Sequence, residues 1–338
     1  MKKLLSMLLA LTMMVSLVAL SAQAEEKKTY RVAMVSDTGG INDNSFNASA
    51  WEGLQRAKDE LGIQVSYLES VTEADYEANM ETLFDEGNDL IICVGFLMAD
   101  ACKKAAEEHP DQMYAIVDST STAPNMVGVL FAQEQCSYLA GVAAGKMTKT
   151  NNVGFVLGMA NPIMHAFGYG YYAGVRDTNP DCQVQGINAN SFGDAAGGKA
   201  AAINMYAKGA DIVYHAAGGT GDGVIEAAKE QKKLAIGVDK DQSYVAPEAV
   251  LTSAVKRVDN GVFDLCKKVQ KGELKGGDAL YDLTTGGVDI AKTVDLMSPE
   301  ALKAVEEAKD KIIKGEIKVP ATQEAFEALY GPDFYGLD

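Results

Sequence analysis

The chain has 338 residues and a formal net charge of −17. That length suits two lobes with separate cores. The acidic balance argues against nucleic acid as a partner and against charge-driven docking on an anionic lipid surface. Five cysteines, Cys93, Cys102, Cys136, Cys182 and Cys266, form an odd, widely spaced set. They outline neither a disulfide framework nor a zinc site and read as buried free thiols, with one bridged pair left open.

Lys2 and Lys3 precede an apolar run from Leu4 to Leu20, and Ser21-Ala22-Gln23-Ala24 follows with small residues. This order is that of a cleaved export leader over residues 1–24. The apolar run is marginal for a spanning helix, which leaves a retained anchor as the weaker reading. No other segment is long and apolar enough to span a bilayer, so an exported protein outside the cytoplasmic membrane is expected.

From residue 29 onward, short apolar strands alternate with helical patterns. Strands are expected at 30–35, 63–68, 89–95, 113–118 and 126–131, with helices at 45–61, 73–86 and 98–108 between them. The strands lack period-2 polarity, as strands covered on both faces do. Trp51, Leu54, Ala57 and Leu61 mark the inward stripe of the first helix. A second series follows, with strands at 152–158, 184–190, 211–218, 234–239 and 251–256. Its helices start after Pro162 and from Asp194 and Asp222, and one more spans 258–271. The tail holds a charged helix at 299–314. Repeated βα units imply an α/β fold of two Rossmann-like lobes with parallel sheets and right-handed crossovers. The expected division places 29–133 plus about 240–275 in lobe 1, and about 134–239 plus about 276–338 in lobe 2.

Ligands of such sheets bind outside the carboxyl ends of the strands, so the site is expected in the cleft between the lobes. Several strand ends carry chemistry there. Asp37, Asp118, Asp239 and Lys256 each close a strand, and Gly218-Gly219-Thr220-Gly221 follows another, where small residues let backbone approach a ligand. Aspartate also caps turns and helices, and for each residue taken alone that reading stays open. The segment DTGGINDNSFN (37–47) joins free backbone N–H groups to an aromatic, Phe46. Phe192 in NSFGDAAGGK supplies a second ring from the other lobe, and Phe167 is a weaker third. Two rings approaching from opposite lobes would sandwich a flat ligand. Enzyme signatures are poor. His109, His165 and His215 lack metal-ligand spacing, and neither a nucleophile elbow nor a Walker loop occurs. The acidic strand ends also disfavour a phosphorylated ligand. A sugar or other small polar metabolite remains an alternative, as does a ligand sensor without transport.

GGINDNSFN, the AIVD end at Asp118, LAGVAAGKMTKTNNVGFVLG (139–158), NSFGDAAGGK, AAGGTGDGV, AIGVDKDQ and TSAVKRVDNGV fall in order along the chain. Together they resemble the basic membrane protein family, purine-nucleoside substrate-binding proteins of ABC transporters. The resemblance implies a type I periplasmic-binding-protein fold, a nucleoside as ligand, a membrane permease as partner, no cofactor and a monomer. It also implies that Phe46 and Phe192 stack on the base. By the same pattern Asp37, Asn47 and Asp118 hydrogen-bond base or ribose, and Asp239 and Lys256 hold the ribose hydroxyls; Gly219, from the glycine run, is expected beside the ligand on the backbone-approach reading alone. Asp43 is expected to cap the helix that follows it. Family members commonly carry a lipidated cysteine at the processing site. Ala22-Gln23-Ala24-Glu25 has none, which puts lipid anchoring in doubt.

Overall fold

Strand β1 (Arg31–Ser36) shows how the layers arise. Val32 and Met34 face one side of the sheet and Ala33 and Val35 the other, and both sets are buried in separate apolar clusters. The structure, a computed structural model, describes residues 28–332. The expected leader at 1–24 lies outside the described residues.

In chain order the first series continues with α1 (Phe46–Leu61), β2 (Gln64–Leu68), α2 (Tyr76–Asp85), β3 (Leu90–Val94), α3 (Ala99–Glu108), β4 (Tyr114–Val117) and β5 (Met126–Phe131). The second comprises α4 (Gln133–Met147), β6 (Asn152–Leu157), α5 (Pro162–Thr178), β7 (Gln183–Asn188), α6 (Ala195–Ala207), β8 (Ile212–Ala216), α7 (Thr220–Gln231), β9 (Leu234–Asp239) and β10 (Val250–Lys256). The remainder is α8 (Val258–Lys271), β11 (Gly277–Tyr281), β12 (Val288–Ile290), α9 (Pro299–Ile313) and α10 (Gln323–Tyr330).

Two six-stranded sheets result, ordered β11-β5-β4-β3-β1-β2 and β12-β10-β9-β8-β6-β7. The first is parallel throughout; in the second only β12 runs antiparallel, against β10. The expected α/β fold with two parallel-sheet lobes is therefore present. Each sheet has an apolar layer on its outer face, while one continuous cluster fills the inner faces of both. All five cysteines are buried and free.

The assignment of segments to lobes differs from expectation at two places. Residues 240–275 were expected in lobe 1, yet β10 pairs with β9 in the second sheet, and only α8 beyond it packs on α1. Residues 276–338 were expected in lobe 2, yet β11 adds to β5 in the first sheet, in register from Gly277 against Val127 to Tyr281 against Phe131. A strand's own residues encode burial and extension, whereas the sheet it joins depends on where a short connection crosses.

Three connections cross between the lobes: β5 to α4, β10 to α8 and β11 to β12. They are tied to one another. Ala132 N donates to Tyr281 O at 2.9 Å and Arg257 N to Gly287 O at 2.8 Å. Leu283 N donates to Gln135 Oε1 at 3.1 Å, and the Phe131 and Tyr281 rings stack with centroids 5.4 Å apart.

Candidate functional site

In both sheets the strand order reverses once, between β1 and β3 and again between β6 and β8. At such a reversal adjacent crossovers leave on opposite faces and open a crevice at the strands' carboxyl ends. The two crevices face each other across one cavity, partly continuous with solvent, whose lining comes from both sheets.

Its walls come from strand ends of both sheets. Asp37 follows β1, Gly95 and Phe96 follow β3, and Asp118 follows β4. From the second sheet come Ala216 at the end of β8 with Ala217 and Gly218 after it, Asp239 at the end of β9 and Lys256 at the end of β10. Phe46 and Asn47 project from the first turn of α1, Phe167 from α5, and Phe192 from the loop after β7. Seven of the eight residues expected from sequence thus share one cavity wall. The eighth, Gly219, does not line it: Gly219 sits at the start of α7, and Gly218 is the wall residue. Gly218 has φ +53°, the turn that carries the chain from β8 into the helix, and such a turn favours glycine.

Asp118 and Asp239 both adopt left-handed backbone, with φ of 65° and 63°. Aspartate tolerates that region better than most side chains, and strained backbone of this kind concentrates at functional sites. Asp118 Oδ2 accepts from Lys256 Nζ at 2.5 Å, with both side chains almost wholly buried. Asp239 and Lys256 were expected side by side on the ribose hydroxyls, and the Lys256 charge does act on the Asp239 carboxylate. The hydrogen bond to Asp239 comes from the Ser45 hydroxyl across the cleft. The Lys256 ammonium also lies over the rings of Phe46 and Phe167, at 5.0 and 5.4 Å from their centroids, where a ring's negative face attracts a cation.

Asp37 Oδ1 accepts from Asn47 Nδ2 at 2.8 Å and from Gly39 N at 2.9 Å. Burial pushes the Asp37 carboxyl up to about 6 in spite of these two bonds. Burial pushes Asp239 up to about 7, against the pull of the Lys256 charge and the Ser45 hydroxyl. Asp43 accepts from three backbone N–H groups, of Ser45, Asn47 and Ala48, at 2.9–3.0 Å. It caps α1, as expected, while also lining the cavity. Asn47 Nδ2 is held by both Asp37 and Asp43, and its buried Oδ1 takes no hydrogen bond.

The cavity therefore holds four aspartates against one lysine and presents more acceptors than donors. Four phenylalanines flank them, of which Phe96, edge-on to Phe192 at 6.1 Å, was not anticipated. Its signal lay in Val94-Gly95-Phe96: Gly95 at φ +122° ends β3 where a Cβ would sit 2.9 Å from Asp37 Oδ2. Among the described residues no group of three or more His, Cys, Asp or Glu is placed to hold a metal ion. No described helix is long and apolar enough to cross a membrane.

Two α/β lobes on either side of an interlobe cavity define the class of periplasmic-binding-protein-like ligand binders. A solved structure of an ABC transporter solute-binding protein from Aeropyrum pernix K1 shares the architecture. Its TM-score is 0.81 at 29% identity, covering 89% of this chain and 96% of that one. Residues 30–323 match the family of ABC transporter substrate-binding proteins described as PnrA-like, and the chain belongs to that family. A CD4+ T-cell-stimulating antigen from Listeria innocua is 41% identical over 89% of this chain and 90% of its own length. An ABC transporter nucleoside-binding protein, BmpA, from Lactococcus lactis is 39% identical over 87% and 90%.

Proposed function

We propose that this protein captures a purine nucleoside outside the cytoplasmic membrane, closes its lobes on it by hinge bending, and delivers it to the permease of an ABC transporter. The observation that carries this reading is the pairing of rings and acceptors from both lobes around a single cavity. Phe46 and Phe192 would grip the base, with each stacked face contributing about 1–3 kcal/mol by analogy with base stacking on aromatic side chains. Asp37 and Asn47 offer acceptors, suited to the N–H groups of a base. Asp118, Asp239 and Lys256 form the polar end, where a ribose diol donates to the carboxylates and accepts from the ammonium. Four carboxylates repel a phosphate, so the free nucleoside is favoured over the nucleotide. The relative from Lactococcus lactis, named as a nucleoside-binding protein, supports the same reading.

Closure removes water from these groups, which strengthens each pairing. Binding is then tested by calorimetry against adenosine, guanosine, inosine, cytidine and ribose. Purine nucleosides should bind far more tightly than ribose, and Phe46→Ala should weaken them while leaving ribose unaffected. Equal losses for nucleoside and ribose would remove the stacking role. Tight binding of ribose alone would make this a sugar-binding protein.

A further inference from the structure

The loop between β1 and α1 makes a set of contacts that the ligand site does not explain. Asn44 has left-handed backbone, φ 51°. Its side chain and its carbonyl each bond across the cleft to the second lobe. Nδ2 donates to Asp222 Oδ2 in α7 at 3.2 Å. Oδ1 accepts from the Tyr244 hydroxyl at 3.1 Å. The carbonyl accepts from Gln242 Nε2 at 3.1 Å. Next to it, the Ser45 hydroxyl donates to Asp239, and in the second turn of α1 Glu52 accepts from Lys240 Nζ at 2.5 Å. Of all these residues only Asp239 lines the ligand cavity.

We propose that Asn44 is the latch of the closed state: a positioning residue that holds the two lobes together without touching the ligand, and so sets how much of the protein is closed before and after binding. The proposal rests on hinge closure as the mode of capture. Every polar group of Asn44 beyond its own N–H is used on residues that would move away from it on opening. The left-handed turn gives this reach, because it turns the carbonyl and the carboxamide toward α7 and the loop after β9 together. Gln242 anchors the far side: its Oε1 accepts from Val238 N at 2.9 Å, and its own N–H donates to Ser253 Oγ at 3.1 Å. The latch therefore reads the position of β9, whose last residue is Asp239.

Apparent affinity scales with the fraction of molecules in the binding-competent state. Weakening the latch lowers that fraction and weakens every ligand by the same factor. Asn44→Gly keeps the left-handed turn and the carbonyl but deletes both side-chain bonds. Tyr244→Phe deletes one hydroxyl from a half-exposed ring and leaves the rest intact. The expected result is a rise in Kd of roughly 5- to 30-fold for Asn44→Gly and roughly 2- to 5-fold for Tyr244→Phe, equal for each nucleoside. Small-angle scattering of the ligand-free proteins should show a larger radius of gyration for the variants, in the same order, returning to the wild-type value at saturating nucleoside. Unchanged scattering and affinity in both variants would overturn the latch. Losses that differ between nucleosides would overturn it too, since Asn44 would then be reading the ligand. If the wild-type protein binds no nucleoside, the proposed function fails while the ligand-free scattering comparison still decides the latch.

Discussion

Asp239 is the side chain on which burial acts most clearly. Its carboxyl, at the left-handed end of β9, faces Lys256 and Ser45, which favour its charge, and Asp43 and Asp118, which oppose it; burial outweighs them and pushes it up to about 7. Asp37 is likewise pushed up to about 6. Both values lie above the ordinary 3.8, so the folded protein holds these protons where the unfolded chain has released them. These two groups therefore make the ligand-free protein more stable as pH falls from 7 toward 4, and their destabilising effect is complete above 7. His215, fully buried and pushed down to about 4, works the other way: it costs stability as pH falls below 6.5. Because these contributions oppose each other, affinity is the cleaner measure. On the proposed function, ribose hydroxyls that donate to Asp239 would need its ionised form, so binding would expel a proton near neutrality. Nucleoside Kd should rise about tenfold from pH 8 to pH 6, and Asp239→Asn should flatten that profile while weakening binding throughout. A pH-independent wild-type Kd would remove Asp239 from the ligand's contacts. Residues like this one were legible because they end apolar strands. Their partners were not: Lys256 and Asp118 are 138 residues apart, and nothing local says that the lysine turns to this carboxylate rather than to Asp239.

Elements were read well wherever burial pattern and boundary residues agree. β5, β9 and α8 have the expected limits, and most others differ by a residue or two at an end. What the pattern lacked was the destination of β10 and β11: β10 is buried along its whole length and would look alike in either sheet, while β11 is a largely exposed edge strand whose residues name no neighbour. Helix pairs hold a second kind of hidden information. α4 and α5 contact each other through glycines: a Cβ on Gly141 would lie 2.2 Å from Tyr171 O, and one on Gly174 would lie 2.1 Å from Tyr138 O. The two backbones approach too closely for any side chain at those points, which brings Tyr171 and Tyr172 into the core beside Phe155. Gly174→Ala must push the helices apart, since the obstacle is backbone rather than a flexible side-chain end. A loss of about 1–3 kcal/mol of unfolding free energy is expected, read as a lower denaturation midpoint. An unchanged midpoint would mean that the helix pair has slack at this crossing. Alanine in a helix is otherwise favoured over glycine by about 1 kcal/mol, so the sign of the effect separates packing from propensity.

On the scale of the whole molecule, three crossings tied to one another carry the only covalent links between the lobes among the described residues. A ligand between the lobes adds a non-covalent link that the unfolded chain does not have. Ligand that binds only the folded state stabilises it by about 2.7 kcal/mol at a hundred times its Kd. For a protein of this size that corresponds to a rise in Tm of roughly 4 °C. If the nucleoside bridges the two sheets, the gain belongs to both lobes, because either one unfolding releases the ligand. Calorimetric scans should then show the whole unfolding endotherm moving to higher temperature with guanosine or adenosine, and ribose at equal concentration leaving it in place. The inner core strengthens this expectation, since it runs without a break from the first sheet to the second and couples their unfolding even without ligand. A scan in which the endotherm splits and only one component responds would place the ligand on a single lobe. That outcome is incompatible with a base held between Phe46 of the first lobe and Phe192 of the second.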